Sequence, residues 1–262
     1  MASRMQTTDV PLAFDEGAAT YDVMVRRNPG YHRHLRSASR ALVGRLPRRG
    51  TDADPLRLVD LGAGSGVSTV AMIRALDADR QPAGITGIDA SAQMLAQATA
   101  KRWPAGVRFV HGRAEKLAGD RAAWGIAEPL DGVFAAYLFR NLDPAESRDE
   151  ALQAVRDLLA PGGALVVQEY STAGNRPAAM VWTAVCWTVV IPLGWLTSRQ
   201  TRLYRYLWRS VRTFDSVDVF TARLHRAGFV DVEVDTVGGW QRGILHTFRA
   251  SAPPRAELRD TA

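Results

Sequence analysis

The stretch Val59-Asp60-Leu61-Gly62-Ala63-Gly64-Ser65-Gly66-Val67-Ser68 joins an aliphatic run to an alanine-rich one, and its spacing decides how the chain reads. Leu56–Leu61 has the short, aliphatic character of a buried strand, and the run over 68–76 that of a helix. Glycine at 62, 64 and 66 lets the backbone between them turn sharply and approach a ligand with no Cβ in the way. The helix N-terminus that follows presents N–H groups to an anion. A dinucleotide loop spaces its glycines G-x-G-x-x-G. Here the spacing is D-x-G-x-G-x-G, which suits a ligand with no pyrophosphate and argues against a nicotinamide-dependent reductase. Twenty-three residues after Gly66 comes Gly87-Ile88-Asp89, so a carboxylate stands at the tip of the second predicted strand, where it can accept both hydroxyls of a ribose.

Working outward, short β-branched or aliphatic runs alternate with longer alanine- and leucine-rich ones. Strands are predicted at Leu56–Leu61, 84–88, 108–111, 132–136, 164–168, 230–235 and 244–248, and helices at 68–76, 91–102, 144–159 and 216–227. Ser91 and the pair Asp143-Pro144 are predicted helix starts. Pro161-Gly162-Gly163 is a predicted helix stop. Such alternation predicts an α/β domain on a mostly parallel, seven-stranded sheet. Residues 1–50 read as an N-terminal helical arm over the substrate side, 51–250 as the ligand-binding domain, and 251–262 as a frayed tail.

With 47% hydrophobic and 23% charged residues, the composition is that of a soluble globular chain. One cysteine, Cys186, rules out a disulfide framework, and no His, Asp or Glu grouping has metal-ligand spacing, so no metal is expected. The first residues lack the apolar core of a secretion signal, which makes a cytoplasmic location the expectation. Thirty-one arginines stand against two lysines, Lys101 and Lys116. With abundant alanine, this reads as the codon bias of a high-GC genome and gives no expectation of a nucleic-acid partner.

The glycine loop with Asp89 resembles the first motifs of the class I S-adenosylmethionine-dependent methyltransferases, which implies their Rossmann-like fold and S-adenosylmethionine as cofactor. The resemblance implies that Asp60 with Gly62, Ala63, Gly64 and Gly66 holds the methionine end and Asp89 the ribose. It places Ala90 and Met94 on the adenine flank and Arg113-Ala114 at the exocyclic adenine edge. Arg113 stands where that family usually has Asp or Asn, which leaves the backbone to make this last contact.

Four further stretches are similar to the ubiquinone/menaquinone biosynthesis C-methyltransferases. They are Tyr137-Leu138-Phe139-Arg140-Asn141, the segment from Pro161-Gly162-Gly163 to Glu169-Tyr170-Ser171, Tyr204-x-Tyr206-Leu207-x-x-Ser210-Val211-x-x-Phe214, and Gly243-Ile244-Leu245-His246. Tyr21-Asp22-x-Met24, Gly30-x-His32 and Arg36 match in part, whereas Leu35 replaces the usual tryptophan and the stretch from Glu115 to Asp131 is longer than in that family. The resemblance implies a prenylated, demethylmenaquinol-like acceptor and adds Tyr137 to the cofactor residues. Loss of a phenolic proton makes the adjacent ring carbon nucleophilic, and a cation or amide beside the oxygen favours that form. Arg140 and Asn141 are the candidates for this role, with Glu169 as a candidate base and His246 as a further catalytic candidate. Two other readings stay open: the same fold acting on another small metabolite or lipid, and a non-catalytic protein that binds S-adenosylmethionine.

Between strands five and six, residues 178–196 carry no charge and include Trp182, Trp187 and Trp195, a length that touches the threshold for a membrane span. Strands predicted on both sides of this run must join one sheet, which argues against a crossing. Over 199–212, Arg202, Arg205, Arg209 and Arg212 fall on one arc, with Leu203, Tyr204, Leu207 and Val211 opposite. The insert 176–214 is therefore expected to cover the pocket and to touch the membrane peripherally.

Overall fold

Continuous apolar runs form the centre of the sheet and alternating ones its edges. The strand with sequence LDGVFAA is buried at every position, whereas VDVEVDT alternates along its length. The computed structural model describes residues 29–48, 54–126, 129–142, 145–198 and 201–254. Helix α1 (Pro29–Val43) leads into β1 (Leu56–Leu61), α2 (Val67–Ala78), β2 (Ala83–Asp89), α3 (Ala92–Thr99) and β3 (Val107–His111). A short α4 (Leu117–Asp120), β4 (Leu130–Ala136), α5 (Ala145–Leu158) and β5 (Leu159–Tyr170) follow. Then come the insert helices α6 (Arg176–Val185), α7 (Ile191–Ser198) and α8 (Thr201–Thr213), and finally α9 (Val217–Arg226), β6 (Val230–Thr236) and β7 (Leu245–Ser251).

The seven strands lie in the order β3-β2-β1-β4-β5-β7-β6, and β7 alone runs antiparallel to its neighbours. Strand order reverses between β1 and β4, and in open α/β sheets ligands bind outside the carboxyl ends of the strands at such a point. On one face α1 and the turn after it pack Leu35, Leu42 and Leu46 against Leu58, Phe134 and Val166. On the other, α5 and α9 bring Leu152, Val155, Phe220 and Leu224 onto Val133, Val167 and Phe248.

Three boundaries differ from expectation. Helix α3, capped by Ser91 accepting from the Met94 N–H, ends at Thr99 and not at 102. There the Thr99 hydroxyl donates to Leu95 O and the Trp103 indole to Ala98 O. Pro161-Gly162-Gly163 lies inside β5 and does not precede it. The reason is β7, which runs through Ser251 and so past the expected start of the tail: the Ala252 N–H donates to Gly163 O and the Gly162 N–H to Ala252 O. The expected cap Asp143-Pro144 and the matches at Tyr21, Asp22 and Met24 lie outside the described residues.

Candidate active site

The loop after β1 and the turn after β4 face each other across the reversal of strand order and line one cleft. Gly62, Gly64 and Gly66 all have left-handed backbone, with φ of 79°, 55° and 85°. A Cβ on Gly66 would stand 2.7 Å from the Trp103 ring, and one on Gly64 would meet Met94 at 3.1 Å. The bare loop is thus held between the start of α2 and the residues behind it. Asp89 fixes the loop from the neighbouring strand: its Oδ2 accepts from the Gly64 N–H (2.7 Å) and its Oδ1 from the Ser91 N–H (2.8 Å). A carboxylate oxygen has two lone pairs, so this clamp leaves Asp89 able to accept from a ligand as well.

Gly62, Ala63, Gly64, Asp89, Ala90, Met94, Arg113, Ala114, Tyr137, Arg140 and Asn141 all line the cleft, which brings together most of the residues singled out in the sequence. Arg113 donates to Glu115 through Nε and Nη2, so its charge is engaged within its own turn, and the Ala114 backbone stands at the same wall.

Asp60 does not line the cleft. It is fully buried behind the loop, where its Oδ2 accepts from the Ser68 hydroxyl (2.7 Å) and the Thr69 hydroxyl (2.6 Å), while its Oδ1 has no hydrogen-bond donor among the described residues. Burial pushes this carboxyl up to about 6; the two hydroxyls oppose the rise and the charge of Asp89 adds to it. The folded protein therefore holds the proton more tightly than the unfolded chain. The stability this contributes is fully present below the ordinary value of 3.8 and is lost as pH rises through about 6. Asp60→Asn is expected to flatten the pH dependence of stability between those values. It should also stabilise the ligand-free protein near pH 7 by at most about 3 kcal/mol. Thermal melts of both proteins across pH check this, and identical pH profiles would remove Asp60 as the titrating group.

On the acceptor side, four rings stack in sequence. Tyr31 of α1 lies on Tyr137 (centroids 5.1 Å, 29°), Tyr137 on Tyr170 (5.1 Å, 18°) and Tyr170 on Trp182 of α6 (5.5 Å, 26°). Tyr137 has φ of 61°, a conformation that costs a non-glycine residue about 1–2 kcal/mol. Its N–H donates to Gln168 O and its hydroxyl to Gln168 Oε1 (3.1 Å), while Gln168 Nε2 donates to His34 O of α1. These bonds hold the strained residue and fix α1 against the sheet. The Arg140 guanidinium lies 5.6 Å from the Tyr137 ring centroid and 6.0 Å from that of Tyr170. Asn141 Nδ2 donates to Tyr137 O, and its Oδ1 accepts from the hydroxyl of Tyr206 on α8, so the insert reaches the site.

Neither Glu169 nor His246 lines the cleft. Glu169 is fully buried and accepts from Arg140 Nη1, from the Arg140 N–H (3.2 Å) and from the Tyr170 N–H (3.0 Å), which anchors Arg140 in the turn after β4. His246 pairs with Glu169 across β5 and β7. Burial lowers its pKa, only partly offset by hydrogen bonds to the Ser171 and Gly243 backbone. That environment favours a neutral, structural imidazole. Sequence reasoning missed Tyr31 and Tyr206: both lay within quoted stretches, but their partners are 106 and 65 positions away in the chain. It also missed Arg148, which donates to the carbonyls of Phe139 and Leu142 and pairs with Asp215, holding the turn that carries Arg140 and Asn141.

A demethylmenaquinone methyltransferase from Mycolicibacterium paratuberculosis is 28% identical over 249 residues, covering 94% of this chain and 95% of the relative. Another from Thermus thermophilus is 32% identical, covering 86% and 95%. Among solved structures, the plantazolicin methyltransferase BpumL, in complex with a triazolic desmethylPZN analog and SAH, superposes with a TM-score of 0.63 at 14% identity, covering 94% of this chain and 96% of the other. The N-methyltransferase NodS from Bradyrhizobium japonicum with S-adenosyl-L-homocysteine gives 0.57 at 15% identity, covering 88% and 91%. At such identity these likenesses speak for the fold.

The residues present fit S-adenosylmethionine. The glycine cradle is one a Cβ would fill, and Asp89 stands at ribose spacing on the wall of the cleft. The model of the ubiE/COQ5 methyltransferase family matches residues 3–249, and the chain belongs to that family as an S-adenosylmethionine-dependent methyltransferase.

Proposed function

We propose that this enzyme methylates a ring carbon of a prenylated quinol of the demethylmenaquinol type. The observation that carries the reading is the acceptor wall: Arg140 and Asn141 on one turn, beside a stack of flat rings that runs from the cofactor cleft to the apolar insert. A flat, electron-rich ring matches the stack, and a phenolic oxygen matches the cation and amide at its edge. The relatives named as demethylmenaquinone methyltransferases support the same acceptor class.

When bound, the cofactor supplies an electrophilic methyl group on a cationic sulfur. The protein's work is then alignment and charge. Arg140 and Asn141 favour the ionised oxygen of the acceptor, which raises electron density at the adjacent ring carbon. That carbon gains the methyl as the carbon–sulfur bond breaks. Its own hydrogen then leaves as a proton and the oxygen regains one, so a single proton is released per turnover. Asp89 holds the ribose, and Asp60, buried behind the loop, ties β1 to the start of α2 by accepting from Ser68 and Thr69. Helix α1 places Tyr31 in the cleft, stacked on Tyr137.

Asp89→Ala is expected to weaken S-adenosylmethionine binding by about 1–3 kcal/mol, from the loss of hydrogen bonds to a charged acceptor. Calorimetry reads this directly, and unchanged affinity would refute the ribose assignment. The acceptor is tested by incubating the enzyme with methyl-labelled S-adenosylmethionine and a bacterial lipid extract. Label in the quinone fraction supports the proposal, and label confined to water-soluble metabolites overturns it.

A further inference from the structure

The insert places a large apolar surface beside a row of exposed arginines. Along α6, the π-turn Cys186–Val190 and α7, one side is buried: Ala178, Trp182 and Cys186 pack on Val211 and Ile244. The other side is open, with Met180, Trp187, Val189, Leu193, Trp195 and Leu196 exposed by 44–74%. The span Arg176–Leu196 is long and apolar enough to cross a membrane by length and composition. The fold holds it flat. The Trp182 indole donates to Trp208 O, the Trp208 indole to Thr183 Oγ1, and Trp182 is stacked on Tyr170 at the end of β5. A Cβ on Gly194 would stand 2.2 Å from the Tyr204 ring, so that ring of α8 packs directly on the backbone of α7. The segment cannot leave the sheet for a transmembrane path without breaking these contacts and the β5–β7 pairing that follows.

On α8, Tyr204, Ser210 and Val211 point inward and Arg205, Arg209 and Arg212 outward. The guanidinium of Arg205 lies 5.8 Å from the ring centroid of the exposed Trp187, which makes the basic row and the apolar face one continuous surface. Residues 176–214 contain six arginines and no Asp or Glu, so the chain's whole net charge of +6 resides in the insert and the remainder is neutral.

We propose that this face docks the enzyme on an anionic lipid bilayer, lying in the interface with its tryptophans at headgroup depth and the arginines on phosphate. Two features choose this occupant. Tryptophan beside arginine is the composition of an interfacial segment, where one end of the ring is apolar and the other wet. A second copy of the chain would bring an equal concentration of positive charge against this one, and nothing on the insert would neutralise it. Docking in this plane places the insert's inner face, with Trp182 and Tyr206 near Arg140 and Asn141, directly above the bilayer. The inference does not depend on which molecule accepts the methyl.

The test is co-sedimentation of the full chain with vesicles of phosphatidylcholine alone or mixed with phosphatidylglycerol, across a salt series. The expected result is binding to the mixed vesicles only, falling steeply with salt because exposed charges are screened over about 10 Å at 0.1 M. Arg205→Gln, Arg209→Gln and Arg212→Gln combined should weaken it about a hundredfold, from roughly 1 kcal/mol per basic group at the surface. Trp195→Ser with Leu196→Ser should weaken it independently; both side chains are more than half exposed. Unchanged thermal melting and S-adenosylmethionine affinity in each variant show that the fold is intact. Equal binding to both vesicle types, no binding to either, or a dimer in sedimentation velocity that the same substitutions dissolve would each overturn the proposal.

Discussion

Arg140→Ala is expected to lower turnover about a hundredfold or more while changing the dissociation constant of S-adenosylmethionine by no more than about threefold. The side chain is buried at the acceptor wall, bound to Glu169 and set beside the rings of Tyr137 and Tyr170. On the proposed mechanism its contribution is made where charge develops on the acceptor. Removing it also leaves Glu169 as a buried carboxylate without its cation, so lost activity alone would not separate chemistry from folding. Arg140→Lys separates them. It retains a charge opposite Glu169 and should keep the fold, but it lacks the planar fork that can serve Glu169 and an acceptor oxygen together, so turnover should still fall. If cofactor affinity collapses in either variant, Arg140 serves the donor and the assignment fails.

The largest loss of stability is expected from Glu169→Ala. Deleting one partner of a buried ion pair leaves the other desolvated and unbalanced, typically at a cost of about 3–5 kcal/mol. In a chain of this size that is a fall in melting temperature of about 10 °C. The backbone N–H groups of Arg140 and Tyr170 would lose their acceptor too, loosening the turn after β4. Glu169→Gln keeps an acceptor for those N–H groups but not the charge, and should lie between the two proteins in stability. Its residual turnover is expected to show the same pH profile as the parent. Disappearance of the acid limb in Glu169→Gln would instead identify the carboxylate as the proton acceptor.

The sheet and the donor half of the cleft were legible because their determinants are local. Gly62, Gly64 and Gly66 need backbone conformations that few other residues adopt, and Asp89 must follow one strand later, so spacing along the chain carries the information. The acceptor half depends on contacts between distant segments. The ring stack draws on α1, the turn after β4, the end of β5 and α6, and no periodicity in the sequence links Tyr31 to Tyr137 or Tyr170 to Trp182. That Glu169 and His246 stand outside the cleft was illegible for a related reason. A carboxylate and an imidazole at strand ends show nothing of their partners in the sequence, and both are engaged by neighbouring chain. The arginine row on α8 was readable from its 100° arc because exposure there follows helical geometry: Arg205, Arg209 and Arg212 are all exposed. Arg202, on the same arc, has no described side chain.

The most direct measurement of the account is methyl transfer to a defined acceptor. The enzyme is supplied with S-adenosylmethionine carrying a carbon-13 methyl and with a prenylated demethylmenaquinone in anionic vesicles, either reduced to the quinol or left oxidised, and the product is located by carbon NMR and mass spectrometry. The account predicts a labelled ring-bound methyl with the quinol and none with the quinone, since only the quinol has a phenolic proton to lose. A label on oxygen, equal transfer to both redox forms, or S-adenosylmethionine turnover that leaves the quinol unlabelled would contradict it.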